Sequence, residues 1–170
     1  MIYSYYMKSL TLYDGRRCSI NNCIGCDVYN GNIDMSDSLV YENDLFRVVH
    51  DTENPIPGFF VISSKRHVRT LNELNSKELE NLFNLIVRTR KGMEDILGIE
   101  KVSLIQEDGP ENMHFHLWFF PWYSWMNELE LIAFDTEKMR KIMKYSQENM
   151  RTDDNIQKVH NAVEAMKSVY

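Results

Sequence analysis

The chain has 170 residues, of which 44% are hydrophobic, so it is long enough to bury the core of one globular domain. Its formal net charge of −6 argues against general nucleic-acid binding, which needs a basic surface. No apolar run approaches the length of a membrane span, and the N-terminus lacks the basic-then-apolar pattern of a signal peptide. We therefore expect a cytoplasmic protein without a membrane partner.

All three cysteines lie close together in the N-terminal part of the chain. Cys23 and Cys26 form a C-x-x-C pair with Gly25 in the turn, a spacing that suits a tetrahedral zinc ion. In a reducing compartment, an odd number of clustered cysteines indicates metal ligation better than a disulfide framework. One pair is only half of a site, and the alternative is two small buried residues on a turn. We predict that Cys18, the odd cysteine, is not a ligand.

The middle of the chain alternates between short strand patterns and one long helical pattern. Residues 74–97 have apolar side chains at helical spacing on one face, and Gly98 follows them as a cap. Short apolar or alternating runs predict strands, and clusters of Pro, Gly, Asn and Asp predict the turns and loops between them. Strands are predicted within residues 39–49, with a turn at 42–44, and at 59–62, 101–105 and 112–121; residues 51–58 are a predicted loop and 107–110 a turn.

The run at residues 112–121 is aromatic and apolar, contains two histidines and ends at a proline. On a strand, residues two apart point to the same face, so His114 and His116 would project together with Asn112 and Trp118. Two imidazoles on a core strand are costly unless each has a partner. Either one alone could be a core histidine that is hydrogen-bonded to the backbone, but the pair favours a functional site.

The C-terminal part predicts two helices, at about residues 136–149 and 153–168, with Asp135 and Asp153 as N-caps. The order of elements is strands, one long helix, strands, and then helices. This order predicts an α+β fold in which an antiparallel sheet carries the long helix on one face and is followed by a helical tail.

Zinc would need two further ligands beside the cysteine pair, and the chain has five histidines to supply them. His160 lies among polar residues of a predicted helix, and we expect it to be solvated. His67, at the start of the predicted long helix, becomes a candidate only if the fold brings it to the cysteines. From the residues alone the remaining candidates are His50, His67, His114 and His116.

Four segments in order resemble the histidine triad (HIT) superfamily over roughly residues 20–121. They are the run Asn112–Pro121, the pair Cys23–Cys26, the segment Val48–Gly58 and the segment Phe60–Leu74. The cysteine pair resembles zinc-containing members, and some features resemble the galactose-1-phosphate uridylyltransferase branch. The resemblance implies a HIT-like domain over residues 1–125 with an N-terminal zinc-binding segment, and a helical extension over residues 126–170 packed on it.

The resemblance also implies a role for each matching residue. His116 would be the nucleophile that carries a nucleotidyl group, because it matches the second histidine of the triad. Asp51 would bind the ribose hydroxyls, and Asn112 and Trp118 would line the substrate site, Asn112 matching an asparagine of the uridylyltransferase branch. The implied ligands of one structural zinc ion are Cys23, Cys26, His67 and His114.

The chain departs from the family pattern at three positions near the expected site. The third histidine of the triad is Trp118, whose indole ring is bulky and donates only one hydrogen bond. Phe59 stands where nucleoside phosphoramidases often have histidine, and Glu111 stands where the family has serine. These departures affect the expected rate and substrate more than the expected fold.

Three functions follow as hypotheses. The first is a nucleotidyl hydrolase or transferase that acts on the α-phosphate of a dinucleoside polyphosphate, a phosphoramidate or a nucleotide sugar. The second is a nucleotide-binding HIT-like module with weak or no turnover, because Trp118 replaces the third histidine. The third, which discounts the resemblance, is a zinc-stabilised domain that binds a protein partner through the aromatic segment at residues 121–125. A homodimer remains an open alternative to a monomer.

Overall fold

A five-stranded antiparallel sheet lies at the centre of the computed structural model, which describes residues 8–21, 23–108, 113–129 and 135–170. The described elements are β1 (Lys8–Thr11), β2 (Arg17–Ile20), α1 (Ile24–Tyr29), β3 (Leu39–Glu42), β4 (Phe46–His50), β5 (Phe60–Ser64), α2 (Ser76–Asp95), β6 (Val102–Gln106), β7 (His116–Pro121), α3 (Asp135–Asn149) and α4 (Asp153–Lys167). The sheet has the order β3-β4-β5-β7-β6, and β1 and β2 form a separate hairpin. The predicted α+β class with an antiparallel sheet is confirmed.

The two faces of the sheet bury different cores, because side chains alternate along each strand. On one face, Phe46, Ile62 and Phe119 pack with residues of α2 and α4. On the other face, Phe59 and Phe120 pack with residues of the 124–127 turn and of α3. The long helix therefore lies on one face of the sheet, as predicted, and α3 covers part of the opposite face.

The long helix has a local start signal and a local stop signal. Asn75 accepts a hydrogen bond from the Glu78 N–H, and the Glu78 carboxylate accepts one from the Asn75 N–H, which forms a capping box. After the helix, Gly98 adopts φ +66°, a left-handed conformation that suits glycine. The predicted span of residues 74–97 therefore contains the observed helix and exceeds it by two residues at each end. None of the helices in the described ranges combines the length and the apolar character that crossing a bilayer requires.

Several local predictions were wrong or incomplete. The N-terminal hairpin and α1 were not predicted, because segments of four to six residues are too short for a clear periodicity. His67 lies in the segment between β5 and α2 and not at the start of α2. The N-cap of α4 is Thr152, whose hydroxyl accepts from the Asn155 N–H, and α3 already includes Asp135. The histidine strand is shorter than predicted, because β7 begins at His116.

Candidate functional site

Two cysteines and two histidines that are distant in sequence meet at one point of the structure. The ligand atoms of Cys23, Cys26, His67 and His114 all lie within 4.8 Å of one another. Cys23 and His114 are buried, Cys26 is half-buried and His67 is exposed. The cluster therefore lies at the edge of the protein, with its interior side closed by Cys23 and His114.

The distances within the cluster fit a tetrahedral metal ion. The Nδ1 atom of His114 lies 3.4 Å from the Cys23 sulfur and 3.7 Å from the Cys26 sulfur. The Nδ1 atom of His67 lies 3.6 Å and 3.2 Å from the same two sulfurs. A zinc ion at normal bond lengths to sulfur and nitrogen would hold these atoms roughly 3.5 Å apart. The donor set and its geometry therefore fit zinc.

The first turn of α1 presents the two cysteine sulfurs. Cys23 is the N-cap of α1, and its sulfur accepts a hydrogen bond from the Cys26 N–H at 3.4 Å. Gly25, between the cysteines, lies against the His114 ring, and an added Cβ there would be 2.5 Å from the His114 Cγ atom. Only glycine permits this approach, so Gly25 lets the cysteine turn and His114 meet.

We expect Gly25→Ala to lower zinc affinity, because the new methyl group must displace the His114 ring. Changes in the surroundings of metal ligands typically lower affinity about 10–100-fold, and a competition titration with a chelator measures this. Gly31→Ala is the control, because Gly31 has φ +74° but no atom within 4 Å of an added Cβ, so it introduces strain without a clash. Equal zinc affinity in Gly25→Ala and wild type would contradict the expectation.

Hydrogen bonding orients the His114 ring toward the cysteines. The Nε2 N–H of His114 donates to the carbonyl oxygen of Ser64 at 2.5 Å. A carbonyl only accepts, so in the neutral ring Nδ1 has the lone pair, and Nδ1 faces the sulfurs. Burial lowers the pKa of His114, which favours this neutral form. Tyr29 of α1 stacks on the ring with a centroid distance of 5.9 Å.

Without a metal ion, Cys26 favours the thiol over the thiolate. Burial, together with the neighbouring Cys23 side chain, raises the pKa of the Cys26 thiol to about 11. A cation would have to displace this proton, because the thiolate is the form that binds metal. Metal affinity at this site should therefore fall as the pH falls.

A hydrogen bond connects the His116 side chain to the backbone of His114, one of the four residues of the cluster. The Nδ1 N–H of His116 donates to the carbonyl oxygen of His114 at 2.8 Å. In the neutral imidazole this bond leaves the lone pair on Nε2. The ring of Trp118 lies next to His116 on the same strand face, with a centroid distance of 5.2 Å. In that neutral form, Nε2 of His116 is the nitrogen suited to attack an electrophile.

Asp51 lies at the end of β4 in a loop that its own side chain organises. Its Oδ1 atom accepts hydrogen bonds from the Glu53 N–H, the Asn54 N–H and the Asn54 side-chain amide, at 3.0, 2.8 and 2.7 Å. The Oδ2 atom has no hydrogen-bond partner among the described residues. His50 is fully buried beside it, with its ring nitrogens 2.9 Å from the carbonyl oxygens of Asp51 and Ile56. His50 therefore supports this loop and does not join the cysteines.

The remaining candidates lie elsewhere. Cys18 is outside the cluster, and its thiol faces the carbonyl oxygen of Leu10 at 3.8 Å. His160 is half-buried and lies 3.2 Å from the Tyr13 hydroxyl, so the expectation of a solvated histidine was wrong. Asn112 is outside the described residues, and so are Glu111, Gly109 and Pro110, which belong to the predicted turn.

The aromatic segment at residues 121–125 is used within the fold. The Trp122 indole N–H donates to the Ser103 hydroxyl at 2.8 Å, and the Tyr123 hydroxyl donates to the Pro57 carbonyl oxygen at 2.6 Å. Trp125 packs against the core under α3. Sequence reasoning did not identify Tyr29, which stacks on His114, because α1 itself was not predicted.

Comparison with known proteins identifies a family model and a fold. The model of the HIT domain family matches residues 32–122. Among solved structures, a zinc-bound histidine triad family protein from Mycobacterium smegmatis is 14% identical with a TM-score of 0.56, and the match covers 87% of this chain and 97% of that one. A HIT-like protein involved in cell-cycle regulation from Bartonella henselae is 18% identical with a TM-score of 0.55, covering 84% and 98%. A HIT family protein from Bacillus anthracis is 19% identical with a TM-score of 0.55, covering 85% and 96%. No curated protein matches the sequence. At these identities the solved structures support the fold alone.

Proposed function

The chain belongs to the HIT domain family, and from this premise we propose that it is a nucleotidyl hydrolase or transferase in which His116 is the nucleophile. The observation that carries the proposal is the hydrogen bond from the Nδ1 N–H of His116 to the carbonyl oxygen of His114. This bond selects the tautomer that has its lone pair on Nε2. A neutral imidazole of this kind is a competent nucleophile near neutral pH.

The proposed reaction proceeds in two displacements at the α-phosphorus of a nucleotide. Nε2 of His116 forms a bond to phosphorus, and the bond from phosphorus to the leaving group breaks, so the leaving group departs with the bonding electrons. Water, or the phosphate of an acceptor molecule, then attacks the same phosphorus and releases His116. Candidate substrates are dinucleoside polyphosphates, nucleoside phosphoramidates and nucleotide sugars. The covalent intermediate divides one difficult displacement into two easier ones.

We propose that Cys23, Cys26, His67 and His114 bind one zinc ion, with a structural role. Four protein ligands complete a tetrahedral site, which leaves no position for a substrate or water. Bound zinc would hold the His114 ring and neutralise the thiolate charge. The carbonyl of the same residue accepts from His116, so a fixed His114 would also fix the orientation of the nucleophile.

The substrate contacts in the proposal are those of Asp51, Asn112 and Trp118. The Oδ2 atom of Asp51 is available to accept from ribose hydroxyls, while its Oδ1 atom is held by Glu53 and Asn54. We include Asn112 as a substrate contact because of the family resemblance, in which it matches an asparagine of the uridylyltransferase branch. The relation to that branch rests on the same resemblance. Trp118 would contribute a wall beside the phosphate and its single indole N–H donor.

Trp118→His should preserve or raise the turnover rate, because it would restore a smaller side chain with two ring nitrogens at the third triad position. A positioned donor to a developing oxyanion contributes about 10²–10³-fold in kcat, which sets the upper limit of the gain. Trp118→Phe is the matched control, since it keeps an aromatic wall but removes the N–H. Steady-state kinetics on the best substrate measures both. A large loss of rate in Trp118→His would show that the indole has a positive role.

The second candidate function is a nucleotide-binding module without turnover. Trp118 and Phe59 favour it, because two aromatic rings in edge-to-face contact, with centroids 6.0 Å apart, take the positions at which the resembling family members have histidines. A panel of adenosine and uridine polyphosphates, phosphoramidates and nucleotide sugars separates the two functions. Hydrolysis of any member supports the enzyme, and binding without hydrolysis across the panel supports the module.

We also propose the division into a HIT-like domain at residues 1–125 and a helical extension at 126–170. The extension is attached to the loop after β4 by side-chain hydrogen bonds. Gln147 donates to the Asn54 side-chain carbonyl at 3.0 Å, and Asn155 donates to the Pro55 carbonyl at 2.6 Å. Because this loop contains Asp51, the extension would help to hold the ribose-binding side of the proposed site.

The assembly that we propose is a homodimer. Phe83 and Val87 lie four residues apart on α2, and each exposes 64% of its surface. Leu104 on the edge strand β6 is also exposed, on the sheet face that α2 covers. We expect wild type to elute at twice the 20.2 kDa of one chain in light-scattering chromatography, and Phe83→Glu to elute as a monomer. The exposed Leu71, outside this patch, supplies the control Leu71→Glu, and a monomeric wild type would contradict the proposal.

A further inference from the structure

Arg151 lies in the short connection between α3 and α4, and its side chain contacts three other parts of the chain. Its Nε N–H donates to the Leu12 carbonyl oxygen at 3.1 Å, and an Nη2 N–H donates to the Thr11 carbonyl oxygen at 3.5 Å. Further N–H groups donate to the carbonyl oxygens of Glu53, at 3.1 Å, and Gln147. Arg151, which is half-buried, therefore joins the N-terminal hairpin, the loop after β4 and the end of α3.

Arginine suits this position because its donors point in several directions within one plane. The guanidinium has five N–H donors in a fixed fork, so it can reach carbonyl oxygens that belong to different segments. The ammonium group of lysine has three donors on one nitrogen and cannot reach all of these oxygens at once. We therefore expect that lysine cannot replace Arg151, although both side chains carry the same charge.

The loop that Arg151 contacts is held along its whole length. Each carbonyl oxygen of residues 51–56 has a hydrogen-bond partner, as the backbone of a mostly buried loop requires. In chain order the partners are the His50 ring, the Tyr13 N–H, the Arg151 guanidinium, the Ile56 N–H, the Asn155 side-chain amide and the Phe59 N–H. Without Arg151 the Glu53 carbonyl would lose its described partner, so this peptide group could turn toward water.

One peptide group connects Arg151 to Asp51. The Glu53 carbonyl, which accepts from Arg151, and the Asn54 N–H belong to the same planar peptide group. That N–H donates to the Oδ1 atom of Asp51 at 2.8 Å. Arg151 thus holds one end of the peptide group whose other end holds the Asp51 carboxylate.

The donors to Oδ1 also determine where the second carboxylate oxygen of Asp51 points. Three N–H groups converge on Oδ1, and Oδ2 has no hydrogen-bond partner among the described residues. In the described part of the chain, every fully buried side-chain nitrogen or oxygen atom has a partner, so Oδ2 must touch solvent. A carboxylate oxygen has two lone pairs, which can accept from two neighbouring hydroxyl groups.

We propose that Arg151 is a positioning residue that makes the proposed site prefer ribose to a sugar without the 2′ and 3′ hydroxyl groups. It acts through Asp51 and not by contact with the nucleotide. By holding the peptide group between residues 53 and 54, it keeps Oδ1 of Asp51 occupied and Oδ2 directed at the ribose hydroxyls. This inference rests on the proposed function, in which Asp51 binds ribose, and adds a residue that controls that contact.

The test is binding of AMP, GMP and UMP, and of their 2′,3′-dideoxy counterparts, to the full chain as purified, measured by isothermal titration calorimetry. Wild type should bind the ribose forms about tenfold to a hundredfold more tightly, as expected for hydrogen bonds to a charged group. Arg151→Lys should lower this ratio about threefold to thirtyfold, the range of coupling within one hydrogen-bond network, by weakening the ribose forms alone.

Arg88→Lys is the matched control and should leave the ratio unchanged. Arg88 also donates to backbone carbonyl oxygens, those of Val169 and Tyr170, but it does so from α2 and does not contact the loop after β4. In Asp51→Asn the ratio should already be close to one, and Arg151→Lys in that background should not lower it further.

The ratio of two affinities measured on one sample does not depend on the folded fraction, so a loss of stability in Arg151→Lys leaves the test valid. Arg151→Gln is a second variant, whose neutral amide has two donors, and it should lower the ratio in the same way. Equal weakening of ribose and dideoxy forms, the effect of a purely structural residue, would overturn the inference, and so would an unchanged ratio. Failure of all the nucleotides to bind would overturn the proposed function itself, whereas a wild-type ribose preference that survives Arg151→Lys would overturn only this inference.

Discussion

His116→Ala is expected to abolish turnover of the best substrate while leaving zinc content and fold intact. Loss of a covalent nucleophile typically costs several orders of magnitude in kcat, and we expect at least about a thousandfold. The fold should survive because His116 is only half-buried and its described side-chain hydrogen bond goes to a backbone carbonyl. Steady-state kinetics, elemental analysis and thermal melting measure rate, zinc and stability on the same samples.

The proposed covalent nucleotidyl-histidine intermediate provides a second measurement for the comparison of wild type with His116→Ala. Wild type mixed with substrate and quenched in alkali should gain the mass of one nucleotidyl group on the peptide that contains His116, and His116→Ala should not. His160→Ala is the matched control, since His160 is a half-buried histidine that is not part of the cysteine cluster and lies beside the Tyr13 hydroxyl. Wild-type activity in His116→Ala would show that the nucleophile assignment is wrong.

Protein purified without added metal should contain close to one zinc ion per chain, and Cys23→Ser or Cys26→Ser should lose it. Zinc held at about a thousand times its dissociation constant adds about 4 kcal/mol to the free energy of unfolding. For a chain of this length that corresponds to roughly 8–16 °C in Tm, so chelation of wild type should lower Tm by about this amount. This decrease in Tm on chelation should be smaller at lower pH, because protons compete with zinc for the cysteine sulfurs and bound zinc then stabilises the fold less.

Cys18→Ser provides the control for the zinc experiment. Cys18 is close to the cluster in sequence but lies in β2 with its thiol directed at Leu10, so its substitution should leave zinc and Tm unchanged. Loss of zinc in Cys18→Ser and its retention in Cys23→Ser would overturn the assignment of ligands. Chelation that removes zinc without a change in Tm would argue against a structural role.

Most of the central sheet could be predicted from the sequence, since strands and helices repeat with local periods. The alternation in residues 39–49 corresponds to β3 and β4, and the turn between them lies at residues 43–45. The apolar face of residues 74–97 corresponds to α2, which the Asn75 capping box starts. The same alternation placed His116 and Trp118 on one strand face, where the structure has them side by side. These features depend on residues that are near one another in the chain.

The candidate metal site could be predicted only in part. The C-x-x-C spacing identified one pair of ligands, but His67 and His114 were chosen through the family resemblance and not by any spacing. They lie 44 and 91 residues from Cys23, and periodicity carries no information over such separations. Gly25 illustrates this limit. The need for glycine at this position comes from its contact with the His114 ring, and that contact exists only in the folded structure.

The sequence by itself determined the α+β class, the strand that carries His116 and the cysteine pair, because each depends on local periodicity or spacing. Only the tertiary structure shows that His67 and His114 lie beside the cysteines, that Nδ1 of His116 faces the His114 carbonyl oxygen, and that Arg47 shares a row of the sheet with His116. Those features depend on strand register and on contacts between distant segments. Register is set by the burial of whole faces of the sheet, which no short stretch of the chain specifies alone.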